Sequence, residues 1–303
     1  MRPLRIGVVG LGDIATKAYL PILVARPDLE LTLMSRDPDR VARVSRRFGV
    51  ARSTSRLDDL LDAGLDAAFV HASTGAHAEL VSRLLGAGVP VLVDKPLAPS
   101  MAEATALVEL AEARGLSLAV GFNRRHAPVY TALAELPRSV VLVQKNRVGP
   151  PDEPRRVVFD DFIHVVDTLR FLLPPGEERA GVRCVVRDGL LRTVTLELHS
   201  GGATGLGVMN RVSGSNEEVV EVLGDGHKHR VLDLATVERH QEGGVQVVRR
   251  GDWTPVPEQR GFAGLCDRFL AAVRDGAVLS ARDALRTHEL CEDVVRAAER
   301  VSR

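Results

Sequence analysis

The stretch Arg5-Ile6-Gly7-Val8-Val9-Gly10-Leu11-Gly12-Asp13-Ile14-Ala15 constrains this chain more than any other, because it runs a buried-strand pattern into a glycine turn and a helix start. Gly10 permits the tight turn, and Gly12 lets a pyrophosphate approach the backbone. Ala15 fills the small position where helix packs on strand, with Asp13 and Ile14 opening the helix. Free N–H groups and the dipole at such a helix start favour phosphates. A lone G-x-G-x-x-A pattern also fits a purely structural turn. The strand before, the helix after and a second strand at the expected distance favour dinucleotide binding.

With 303 residues the chain exceeds one typical core, so two domains are expected. Forty basic and forty acidic residues give a formal net charge of zero, which argues against a general nucleic-acid or anionic-membrane surface. Cys184, Cys266 and Cys291 form no C-x-x-C pair and read as buried thiols in a reducing compartment. The N-terminus reads as a strand and not a signal peptide, and no apolar run is long enough to span a bilayer. A cytoplasmic location is expected. Lysines occur only at Lys17, Lys95, Lys145 and Lys228, so a lysine at a sensitive position stands out.

Along the chain, residues 14–25 read as a helix that Pro21 should kink, and Leu29–Met34 as a second strand. That strand ends Met34-Ser35-Arg36. With no carboxylate at Ser35 and a guanidinium beside it, NADP(H) is favoured over NAD(H), although Asp37 keeps open a reading of Arg36 as one more surface arginine. The buried strand 66–70 ends in His71-Ala72-Ser73-Thr74-Gly75-Ala76-His77, where Ser73, Thr74 and His77 are placed to meet the cofactor. His77 reads equally as a surface residue opening a helix. The strand 89–93 delivers Asp94-Lys95-Pro96-Leu97 to the same edge, and Lys95 there can exchange a proton at a carbonyl or carbinol carbon, or be a solvated loop lysine.

A boundary is expected near Gly121, giving a dinucleotide-binding domain over 1–121 and a substrate-binding, dimerising α+β domain over 122–303. Asn123, Arg124 and Arg125 follow as candidate substrate contacts, with salt bridges at the domain joint as the alternative for the two arginines. The second half carries alternating strands that predict an open, mainly antiparallel sheet, with Gly149–Pro154 as a stiff loop that either caps a site or connects. One sheet face in need of cover predicts a homodimer or higher homo-oligomer. Trp253 reads as a half-buried structural residue or a sugar-stacking one. On the helix that begins at Asp160, the residues Asp160, His164 and Asp167 fall on one stripe. That stripe suits proton exchange by His164 oriented by Asp160; a divalent-metal face lacks further ligands by spacing, and plain helix capping is the structural alternative.

Taken in order, Gly10-Leu-Gly12-Asp-Ile-Ala15, Asp94-Lys95-Pro96-Leu97, Gly121-Phe-Asn-Arg-Arg125 and Asp160-x-x-x-His164-x-x-Asp167 resemble the Gfo/Idh/MocA oxidoreductases across essentially the whole chain. The runs Val70-His-Ala-Ser-Thr74, Asp160-Asp-Phe-Ile-His-Val-Val-Asp167 and Glu258-Gln-Arg-Gly-Phe262 look most like the MviM subgroup. The resemblance implies a nicotinamide-binding domain, a second domain on an open sheet that often makes the dimer interface, and a catalytic group matched here by Lys95, Asp160 and His164. Lys95, Asp160 and His164 would thereby also face the substrate, and Lys95 the cofactor; no metal is implied. Asp94 stands where the family usually has Glu. The expected activity is hydride transfer between NADP(H) and a sugar, cyclitol or related polyhydroxylated substrate. A cofactor-using glycoside hydrolase of the same fold and a non-catalytic nucleotide-binding regulator are the alternatives.

Overall fold

The computed structural model describes residues 2–301, which divide into two compact units. The first contains residues up to Phe122 together with Phe262–Leu285. The second contains Asn123–Gly261 and the chain from Arg286 onward. The break after Phe122 lies one residue from the boundary read in the sequence. The return of Phe262–Leu285 to the first unit departs from a single cut.

In the first unit, strands β1 (Leu4–Val9), β2 (Leu29–Met34), β3 (Arg52–Thr54), β4 (Ala67–Val70), β5 (Val91–Val93) and β6 (Leu118–Val120) form one sheet in the order β3-β2-β1-β4-β5-β6. Every pair is parallel. Such a sheet needs apolar cover on both faces, which is why β4 reads as an unbroken buried run. Strand order reverses between β1 and β4, the place where open α/β sheets bind ligands at the strands' carboxyl ends. The first helix opens as a π turn over Ala15–Tyr19 before Leu20–Val24, so the backbone adjusts just ahead of Pro21, which has no N–H to give. The returning helix Phe262–Asp275 buries Phe262, Leu265, Cys266, Phe269 and Leu270 in the same core as Tyr19, Leu23 and Phe69. Edge contacts of Phe269 on Phe69 and of Phe262 on Tyr19 fix its seat.

In the second unit, β7 (Val140–Asn146), β8 (Arg179–Arg187), β9 (Leu190–Ser200), β10 (Ala203–Asn210), β11 (Glu217–Gly224), β12 (His227–Leu232), β13 (Thr236–Gln241) and β14 (Gly244–Arg249) form a sheet ordered β14-β13-β12-β11-β7-β10-β9-β8. Its pairs are antiparallel except β7 with β10, which run parallel. The helix Ile163–Leu172 lies on β10 at two glycines. A Cβ on Gly205 would stand 2.8 Å from Leu169 Cδ1, and one on Gly207 2.9 Å from Val165 Cγ1, so side chains there would lift the helix off the sheet. Residues 149–154 are pinned rather than loose at Asp152, whose carbonyl accepts the Leu191 N–H at 2.9 Å. Trp253 is 97% exposed and packs in no core, which corrects the half-buried reading. Cys266 and Cys291 are buried and Cys184 half-buried; burial pushes the Cys184 thiol up to about 11 and Cys266 to about 12, so neither is a ready nucleophile. No helix among the described residues is long and apolar enough to cross a membrane.

Candidate functional site

The first unit carries a cleft of about 490 Å³ at the carboxyl ends of β1, β2 and β4, lined by Gly10, Gly12, Ser35, Arg36 and Ser73 among others. The two glycines do different work. Gly10 has φ +88°, and a Cβ there would meet Ala72 N at 2.4 Å, so the turn and the close pass of the β4 loop both demand glycine. A Cβ on Gly12 would meet no protein atom within 4 Å, so the protein's own packing does not require glycine there; the open space is that of the cleft. Ala15 is fully buried against the sheet, whereas Asp13 is exposed and paired with Lys17 at 2.6 Å, and Ile14 is exposed.

At the end of β2, Asp37 is spent as a helix N-cap, its side chain accepting the Arg40 N–H at 3.0 Å. Arg36 lies exposed on the cleft wall beside Arg40, with no ion pair among the described residues. Arg40 had no part in the sequence reading, although a second arginine four residues on was there to see. Thr74 and His77 are not among the lining residues. His77 is 1% exposed, against the surface reading, and its Nδ1 and Nε2 lie 2.8 Å from Pro96 O and 3.0 Å from Ala72 O. It braces the loops after β4 and β5 against each other.

Around Asp94, the residue before Lys95, sits a group that the sequence alone did not single out. Asp94 accepts hydrogen bonds from Tyr19 OH at 3.1 Å and from His71 Nδ1 at 2.8 Å, while the His71 ring stacks on Tyr19 with centroids 4.0 Å apart. Burial, and then the Asp94 carboxylate, push the Tyr19 phenol well up, so it remains a donor. Nδ1 facing a carboxylate carries the proton, which leaves His71 Nε2 buried without a hydrogen-bond partner among the described residues. A Cβ on Gly121 would fall 2.9 Å from Asp94 Oδ1, so glycine there makes room for the group. Position was the available signal, since His71 directly follows a buried strand and Asp94 directly precedes Lys95.

The second unit carries the remaining candidates. Asn123 and Arg124 are buried, at 4% and 6% exposure, and both are bonded within the second unit. Asn123 Nδ2 donates to Arg260 O at 2.7 Å, beside Gly261, where a Cβ would lie 2.2 Å from Asn123 O. Arg124 donates to Glu218 at 2.6 and 2.7 Å, and Tyr130 OH donates to the same carboxylate at 3.1 Å. Burial works against ionising Glu218, yet Arg124 outweighs it and holds the carboxyl at about 2. Arg125 forks onto Asp167 at 2.7 to 3.0 Å, and Thr287 adds a bond to the same carboxylate at 3.2 Å.

Asp160, His164 and Asp167 do not form one open stripe. Residues 158–162 make a π turn before the α-helix from Ile163, which breaks the 3.6-residue register. Asp160 ends up exposed, His164 half-buried, and Asp167 buried at 1%. Asp161, which the sequence alone did not single out, is the hub instead. Lys145, Arg147 and Arg211 all reach its carboxylate. Burial opposes its ionisation, but Lys145 and Arg147 hold it well below the usual carboxylate range. Burial and the nearby Arg124 pull Lys145 down to about 7 against the opposing effect of Asp161.

Comparison with known proteins places both halves. Residues 4–122 match the model of the Gfo/Idh/MocA oxidoreductase family with its NAD-binding Rossmann fold, and residues 128–242 match the YceM-like C-terminal domain. YceM of Salmonella typhimurium is 38% identical over 291 residues, spanning 92% of each chain. The myo-inositol dehydrogenase Hyg17 of Streptomyces leeuwenhoekii is 34% identical over 198 residues, 61% of this chain and 59% of its own. The crystal structure of the dehydrogenase MviM from Clostridium difficile superposes with a TM-score of 0.91 at 27% identity, covering 97% of this chain and 99% of that one.

Proposed function

The chain belongs to the Gfo/Idh/MocA family of oxidoreductases, and from that premise we propose that it transfers hydride between NADP(H) and a sugar, cyclitol or similar polyhydroxylated alcohol/carbonyl pair. The observation that carries the cofactor half is the cleft itself: glycine is not needed at Gly12 for packing, and Arg36, in no ion pair among the described residues, stands exposed on the wall at the end of β2. Gly10, Gly12 and Ser73 would hold the pyrophosphate region, and Arg36 with Arg40 the 2'-phosphate, since a guanidinium fork matches phosphate oxygens. When bound, the cofactor supplies the hydride acceptor or donor. The substrate half rests on family membership and on the likeness to Hyg17, a myo-inositol dehydrogenase.

Lys95 is the proposed acid/base. In the direction of oxidation it takes the hydroxyl proton as the carbon loses hydride, and in reduction it returns it. Asp94, held by Tyr19 and His71, fixes the backbone from which Lys95 projects. Asp160 and His164 are assigned to orient the reacting hydroxyl and share its proton. We further assign the second unit's sheet the role of a homodimer interface, because the strand Leu190–Ser200 alternates buried with open positions.

The test is absorbance at 340 nm with a panel of sugars and cyclitols in both directions. Lys95→Met should lower turnover by about a hundredfold or more with NADPH affinity nearly intact, the range for losing a positioned acid/base. Unchanged turnover removes the assignment; lost NADPH binding moves Lys95 to cofactor docking.

A further inference from the structure

Strands β7 and β10 are parallel neighbours, so their carboxyl ends lie at one edge of the sheet. Lys145 is the penultimate residue of β7, Arg147 follows β7, and Arg211 follows β10. All three converge on Asp161 in the π turn: Arg147 at 2.8 and 3.1 Å, Arg211 at 3.1 Å, and Lys145 Nζ in direct contact. The next carboxylate on this face, Glu218 opposite Lys145, is already taken by Arg124 and Tyr130. Even with Lys145 drawn down to about 7, the two arginines exceed the one carboxylate they share by a full positive charge among the described residues.

Charge left so costs free energy unless something answers it. Lys145 is 3% exposed, but Arg147 and Arg211 remain open at 31% and 21%, and the buried Arg211 Nε has no hydrogen-bond partner among the described residues. Anchoring the helix end would need one cation on Asp161. It does not explain the other two, nor the orphaned donor. Asp161 shares the π turn Val158–Phe162 with Asp160, and that turn leads directly into the helix that carries His164.

We propose that Lys145, Arg147 and Arg211 form a binding site for an anionic substituent of the substrate, a carboxylate or a phosphate carried by the polyhydroxylated compound. The inference rests on the proposed hydride-transfer reading and narrows its substrate to sugar or cyclitol acids and phosphates. Arginine forks bind either oxyanion by paired, charge-assisted hydrogen bonds.

Calorimetry on the full chain saturated with NADPH, at low salt, tests this with glucose, glucuronate, glucose 6-phosphate and inorganic phosphate as probes. At least one charged sugar should bind about tenfold or more tightly than glucose, a margin that one charge-assisted hydrogen bond supplies. Which charged sugar wins separates carboxylate from phosphate, and the margin should shrink as salt is raised. Inorganic phosphate should bind independently of any sugar scaffold. The double substitution Arg147→Gln/Arg211→Gln should abolish both the margin and phosphate binding with NADPH affinity unchanged, and Arg147→Lys/Arg211→Lys should keep part of each. Equal affinity for glucose and both charged sugars, no phosphate binding to the wild type, or a margin that survives the glutamine variant each overturn the proposal. The wild-type measurements decide even where a variant fails to fold. Anion binding without NADPH oxidation on any sugar of the panel would remove the hydride-transfer reading and leave this site standing; equal kcat/KM for neutral and charged sugars would do the reverse.

Discussion

Replacing Glu218 by Gln removes the counter-charge of a buried arginine and changes little else in shape. Arg124 and Glu218 side chains are 7% and 10% exposed, and the carboxylate accepts two guanidinium hydrogen bonds and one from Tyr130. Breaking such a pair from one side costs about 3–5 kcal/mol, because the remaining charge stays buried. Linkage gives a similar figure. A carboxyl held at about 2 against an ordinary value of 4.5 corresponds to about 3 kcal/mol at about 1.4 kcal/mol per pKa unit. The expected result in urea denaturation is a loss of about 3 kcal/mol, seen on heating as a Tm lower by roughly 6–12 °C for a unit of this size. The sign with pH follows from the depressed pKa: the contribution is complete above pH 4.5 and is lost as pH falls towards 2, so the variant should show a flatter acid limb. Lys145→Met is the contrast. Asp161 keeps Arg147 and Arg211, so that change should cost less than about 1 kcal/mol or stabilise the protein. A Glu218→Gln loss below about 1 kcal/mol would refute the reasoning and favour Arg124 as a substrate contact.

Arg36→Ala should weaken NADPH binding about ten- to hundredfold, as for loss of charge-assisted hydrogen bonds, with NADH binding untouched; unmodified protein that binds NADH as tightly as NADPH contradicts the premise. Gly12→Ala should leave stability within about 0.5 kcal/mol and weaken NADPH binding, whereas Gly10→Ala should cost about 2 kcal/mol or more from strain and overlap; denaturation curves and cofactor titration read both, and equal stability losses would discount the distinction. His71→Leu should lower kcat about tenfold with KM nearly unchanged, and His71→Asn, which can still donate to Asp94, should recover most of it; equal damage in both would mean that the ring's packing and not its hydrogen bond matters. Light scattering at micromolar concentration should report a dimer or larger, and a monomer counts against the sheet-face interface.

Much of the site was legible because its signals are local. The strand-turn-helix pattern at Gly10 and Gly12 placed the cleft, and the absence of a carboxylate at Ser35 left Arg36 on its wall. Alternation and turn residues in the second half predict an open, mainly antiparallel sheet, and the eight strands there form one. Lys95 stood out through the rarity of lysine. Where local reading failed, a period or a partner was assumed. The α-helical stripe from Asp160 to Asp167 presupposed 3.6 residues per turn, and the π turn over Val158–Phe162 gave the inward, ion-pairing position to Asp161 instead.

The sequence by itself determined the fold class, the order of the motifs and the family. Periodicity, turn chemistry and spacing act over a few residues, and the chain carries them in plain view. Only the tertiary structure decided which polar residues are structural. Arg124 meets Glu218 across 94 positions, Arg125 meets Asp167 across 42, and His71 meets Asp94 across 23. The same holds for the helix Phe262–Asp275, whose apolar face finds its core beside Tyr19 and Phe69. A buried charge or apolar face must be answered by whatever the fold brings against it. That partner depends on sheet order, which pairs residues without regard to their distance along the chain.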